Sequence, residues 1–156
     1  MRLKDKVAVV TGAGTGIGEA IAFKFAREGA NIIVAGLLTD PVDDVAARIV
    51  KDGGKAHAYK GDLAEEGNAK ACVQVALDTF RKLDILVNNA GVLDAVGSVD
   101  AFPLDKFDSM LRNNLRTAFL LTKVAVPHLQ KTRGNIIFAG SEAGINGTPM
   151  ATPYAT

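Results

Sequence analysis

The stretch Val7–Phe25, VAVVTGAGTGIGEAIAFKF, decides how the rest of the chain is read. A run rich in valine, a knot of glycines and a helical repeat follow one another without a break. Gly12, Gly14, Gly16 and Gly18 stand where strand gives way to helix. At such a place a Cβ would block the tight turn and hold a phosphate away from the backbone. The helix beyond offers unpaired N–H groups and the positive end of its dipole. Glycine spacing alone is a weak sign, because turns use glycine freely. A strand before it and a helix after it supply the context that points to a dinucleotide pyrophosphate. No Gly-Lys-Ser/Thr follows, which excludes a Walker-type phosphate loop.

Outward from this unit, the chain alternates short apolar runs with longer helical patterns. Residues 6–11, 31–35, 55–60, 83–88 and 134–140 read as strands. Most are continuously apolar, as parallel strands covered on both faces are. In the first helix Ile17, Ile21 and Phe25 recur at every fourth residue. The second, over 40–54, takes Asp40 as its N-cap, Pro41 in its first turn and Gly53 and Gly54 as stop signals. Two more cover 65–82 and 104–131, with Pro127 expected to kink or end the last. The alternation predicts an α/β fold, a doubly wound parallel sheet of Rossmann-like type with strand order 3-2-1-4-5. Ligands of such sheets bind at the carboxyl ends of the strands, beside the switch between strands 1 and 4.

The 156 residues suit a single domain, and 48% hydrophobic with 22% charged residues is globular composition. A net charge of +1 with no basic stripe gives no electrostatic footprint for nucleic acid. No stretch is long enough to span a bilayer, so no membrane partner is expected and the location is read as cytoplasmic. Cys72 is alone and reads as a small buried apolar side chain. His57 and His128 have no metal-ligand company, so no metal is expected.

The spacing Thr11-Gly12-Ala13-Gly14-Thr15-Gly16-Ile17-Gly18 resembles the short-chain dehydrogenase/reductase family. So do Asn88–Gly91 (NNAG) at the end of strand 4, Asn114 in RNNLRTAFL, and Ser141 followed by Tyr154. The resemblance covers essentially the whole chain. It implies an NAD(P)-dependent oxidoreductase that transfers a hydride between a nicotinamide and a carbonyl or alcohol carbon of a small molecule. Tyr154 would be the proton donor or acceptor, Ser141 would bind the substrate oxygen, and Asn114 would hold a water of a proton relay. Gly12, Thr15, Gly16, Ile17, Gly18, Leu37, Asp62, Leu63, Asn88, Ala90 and Gly91 would line the cofactor, with Asp62 at the adenine. Taken alone, Ser141 could simply end a strand, Tyr154 could be a surface aromatic, and Asn114 could be a satisfied core amide.

Residues 36–38 carry neither an acid for a ribose hydroxyl nor a base for a 2′-phosphate. NADP is favoured, because nothing acidic there would repel the phosphate. The family's Tyr-x-x-x-Lys motif has its lysine position beyond Thr156. The expectation is therefore a chain that lacks the family's C-terminal strands and helices and continues in its natural form. The alternative is a nucleotide-binding module, or fragment, without complete catalysis. Leu115, Phe119 and Val126 form a second apolar stripe, suited to a homo-oligomer of the full-length protein.

Overall fold

A computed structural model describes residues 1–155. Val7–Thr11 form β1, buried along its length, and Gly16–Arg27 form α1. There follow β2 (Asn31–Gly36), α2 (Val42–Lys51), β3 (Lys55–Lys60), α3 (Glu66–Phe80) and β4 (Ile85–Asn88). The five strands pair in parallel in the order 3-2-1-4-5, as the alternation predicts, with β5 (Asn135–Phe138) at one edge. Period-2 side-chain alternation sorts the sheet into two cores. Val7, Val9, Ile33 and Leu86 pack under α3 and the long helix α5 (Thr117–Thr132). Ala8, Val10, Ile32, Val34 and Val87 face the other way, against α1 and α2.

Two local expectations are corrected. The first helix buries Gly18 and Ala22, while Ile17 of the expected stripe is 73% exposed. Small side chains let the helix lie close on the sheet; Ile21 and Phe25 of the stripe are partly buried against the core as expected, and Ile17, in the first turn, is the member left exposed. Asp40 does not cap α2; Pro41 occupies that position, and no side chain bonds the helix start. Instead the Asp40 Oδ2 turns back to accept the Leu37 N–H at 2.8 Å, closing a turn sealed by the Asp40 N–H on the Leu37 carbonyl.

The expected 104–131 helix is also three pieces: α4 (Leu104–Met110), a π-helical segment (Leu111–Arg116) and α5. The break falls before Pro127, and α5 runs through that proline to Thr132. Beyond β5, short helices α6 (Ala143–Asn146) and α7 (Thr152–Ala155) complete the described chain. The Gly97 N–H donates to the Met150 carbonyl, tying the segment before α7 to the loop after β4. Among the described residues no helix is long and apolar enough to cross a membrane.

Candidate functional site

The carboxyl ends of β1 and β4 are locked together by two residues of the glycine and NNAG motifs. Thr11 Oγ1 accepts the N–H groups of Asn89 (3.0 Å) and Ala90 (2.9 Å) and lies 3.3 Å from the Val87 carbonyl, to which it donates. Asn89 Nδ2 returns the link, donating to the carbonyls of Thr11 (3.0 Å) and Gly12 (3.4 Å). The order of the parallel strands reverses between β1 and β4, so their loops leave toward opposite faces and a crevice opens between them.

One wall of the crevice is the glycine turn. Gly12 has φ +60°, and a Cβ there would come within 2.9 Å of Ala90 Cα. At Gly18 a Cβ would run into the Gly12 carbonyl oxygen and lie 2.6 Å from Asn89 Nδ2. The constraint at Gly18 is therefore contact between helix and turn. Thr15, at the N-cap of α1, makes no side-chain capping bond. The first N–H groups of α1 thus meet the crevice without a side-chain acceptor, an arrangement that suits an anion.

The crevice has a volume of about 420 Å³. Of the expected cofactor residues, Gly12, Thr15, Gly16, Ile17 and Leu37 line it, as do Asp62, Leu63, Ala90 and Gly91. Gly18 and Asn88 do not. Gly18 shapes the turn from behind. Asn88 is buried in the sheet, its Nδ2 donating to Thr122 Oγ1 at 3.2 Å while its Oδ1 is buried without a hydrogen-bond partner among the described residues. The lining also includes Asp40, Asn89, Asn113 and Thr117, none of them expected as site residues. Asn89 was legible, since it sits inside the quoted NNAG. Asp40 was concealed by its resemblance to a helix cap.

The expected catalytic residues stand apart from this lining. Asn114 lies in the π-helical segment, and its carboxamide grips one residue twice. Its Oδ1 accepts the Val92 N–H at 2.7 Å, and its Nδ2 donates to the Val92 carbonyl at 2.9 Å. Val92 lines the crevice, so the Asn114 side chain fixes that wall from outside. Ser141 is exposed after β5, its Oγ accepting the Ala143 N–H at 3.2 Å. Tyr154 is half-buried in α7. Neither Ser141 nor Tyr154 lines the crevice.

Glycine turn, switch-point crevice and ordered motifs agree with a family-wide comparison, in which the short chain dehydrogenase model matches residues 6–156. The chain belongs to the short-chain dehydrogenase family. It is 39% identical over 143 residues to the uncharacterized oxidoreductase YxbG of Bacillus subtilis, covering 92% of this chain and 52% of the relative. An uncharacterized oxidoreductase of Thermotoga maritima is 35% identical over 156 residues, 99% of this chain and 61% of the relative. A 3beta-hydroxysteroid dehydrogenase of Mediterraneibacter gnavus is 33% identical over 153 residues, 98% of this chain and 55% of the relative. This short-chain dehydrogenase sequence thus spans between half and two thirds of the length of these relatives.

Proposed function

We propose that the protein is an NAD(P)-dependent oxidoreductase acting on a small carbonyl or alcohol substrate, with the crevice as its cofactor site. The observation that carries this reading is the uncapped start of α1, behind a glycine turn with no room for a Cβ at Gly18. That cradle fits a dinucleotide pyrophosphate, and Gly12–Gly18 would hold it through backbone N–H groups. The nicotinamide, when bound, supplies the hydride chemistry. Leu37, Asp62 and Leu63 would contact the adenosine half, with Ala90 and Gly91 along the remainder. Asn88 would support them from within the sheet. Ser141 would hydrogen-bond the substrate oxygen and Tyr154 would give or take its proton. Asn114 would set the wall at Val92 and help hold a water of the proton relay.

The cofactor preference supported here is NAD. The expectation of NADP rested on the lack of an acid at the end of β2. Asp40, folded back on Leu37, puts a carboxylate into the lining there. A carboxylate accepts from a ribose 2′-hydroxyl and repels a 2′-phosphate. The exposed Leu115 and Phe119 suit association of subunits, and a cytoplasmic, single-domain enzyme fits the composition.

A second reading has its own support: Ser141 and Tyr154 lie outside the lining. On that reading this stretch of chain binds the nucleotide without turning substrate over. Titration of NADH fluorescence and carbonyl-dependent NADH oxidation separate the two. The enzyme reading expects saturable binding, weakened at least about tenfold (1.4 kcal/mol) by Gly18→Val, and turnover that Tyr154→Phe abolishes. Binding with no turnover over a broad carbonyl panel favours the second reading. Turnover that survives Tyr154→Phe removes that residue from the chemistry.

A further inference from the structure

Arg112 does not line the crevice, yet it holds part of its wall. The loop after β3 carries Asp62 and Leu63 into the lining. Arg112 Nη1 lies 2.7 Å from Asp62 Oδ2, and its Nη2 pairs with Glu65. One helical turn on, Arg116 Nε donates to the Ala64 carbonyl at 2.9 Å. Asp62 Oδ1 meanwhile accepts the Ala64 N–H at 3.0 Å. The carboxylate is thus oriented from both oxygens, one by its own loop and one by Arg112.

The Arg112 and Asp62 side chains are 38% and 36% exposed, and ion pairs so open to water add little stability. What the pair does achieve is orientation. A carboxylate has about four acceptor positions, so Asp62 keeps capacity for a further donor. The acid that meets the adenosine ribose stands at the end of β2, and β3 is its neighbour in the sheet. Asp62 therefore belongs to the adenosine half of the crevice. The N–H donor that an adenine ring offers there is its exocyclic amino group.

We propose that Arg112 is a positioning residue for base selection, fixing the Asp62 carboxylate to accept the adenine amino group of the cofactor. The proposal rests on the cofactor reading above. It also gives the π-helical segment a double role. The same segment sets the Asp62 wall through Arg112 and Arg116, and the Val92 wall through Asn114.

The test compares NADH with reduced nicotinamide hypoxanthine dinucleotide, in which a carbonyl replaces the amino group. Both are titrated by fluorescence against the wild-type chain, Arg112→Ala and Arg112→Lys, with thermal melts to check folding. The wild type is expected to bind NADH at least about fivefold more tightly than the hypoxanthine analogue. Arg112→Ala should narrow that ratio to within about twofold, chiefly by weakening NADH. Arg112→Lys, which cannot fork between two carboxylates, should fall between and carries the test if the alanine variant misfolds. A general loss of structure would weaken both ligands and leave the ratio alone. Equal wild-type affinities, or a ratio unmoved by either substitution, would overturn the role of Arg112 while leaving the cofactor reading standing. No NADH binding by the wild type would overturn both.

Discussion

The side chain of Asp84 enters the sheet just ahead of β4 and is almost fully buried. Lys6 Nζ lies 3.1 Å from its Oδ1, while Lys82 Nζ (3.0 Å) and the Val7 N–H (2.9 Å) reach Oδ2. Burial by itself would raise the pKa of this carboxyl, but Lys82, the Val7 N–H and Lys6 together outweigh it and hold the group below its ordinary value. A folded-state pKa below the unfolded one gives stability that is fully present above the unfolded value, about 3.9, and is lost as pH falls through the folded value. Asp84→Asn should lower stability at pH 7 by about 1–3 kcal/mol. It should also flatten the loss of stability below about pH 4; urea titrations at several pH values measure both. A mutant whose acid limb matches the wild type would contradict this assignment. Cys72, fully buried beneath the sheet, has its thiol pushed up to about 12 by desolvation. It should resist thiol reagents at pH 8 in the native protein and react once urea unfolds it. At Asp40, alanine should narrow the preference for NADH over NADPH by about fivefold or more. An unchanged ratio would return the choice of cofactor to residues elsewhere.

At the scale of elements, the parts legible in the sequence were those whose signals are local. The strands, the glycine turn and the strand order follow from runs of apolar residues and from the crossover rule. The break at Leu111–Arg116 was not legible, because the amphipathic stripe of 104–131 runs straight through it. There Asn114 is bonded to Val92, a distant residue whose position depends on the NNAG loop. Asp40 failed for a related reason. Asp-Pro before acidic residues is a strong cap signal, yet the same carboxylate can bond an N–H behind it. Two helix ends add a test. Arg81 and Arg133 terminate α3 and α5 in the left-handed region, with φ of 68° and 52°. Glycine adopts that conformation without a Cβ penalty. Arg81→Gly and Arg133→Gly should each stabilise by about 0.5–1 kcal/mol, read from the denaturant midpoint. A fall in stability would mean that the arginine side chains matter more than the backbone.

Across the whole molecule, one sheet edge is charged and the other apolar. β3 exposes Lys55, His57 and Lys60, whereas β5 exposes Ile137 (44%) and Phe138 (59%). An apolar edge strand with free ladder groups is a template for pairing with another chain. The 156-residue chain should therefore self-associate as its concentration rises, and Phe138→Lys should reduce that in sedimentation velocity. Association that survives the substitution would point instead to the exposed Leu115 and Phe119. The crevice opens at the carboxyl ends of β1 and β4, extends to the loop after β3 and leaves β5 outside its lining; there a nicotinamide dinucleotide is expected to bind. Amide chemical-shift mapping of the labelled chain during NADH titration tests this most directly. Saturable shifts are expected at Gly12–Gly18, Asp62–Leu63 and Ala90–Val92, with β5 unmoved. No saturable shifts, or shifts confined to Leu115–Phe119 or β5, would contradict this expectation.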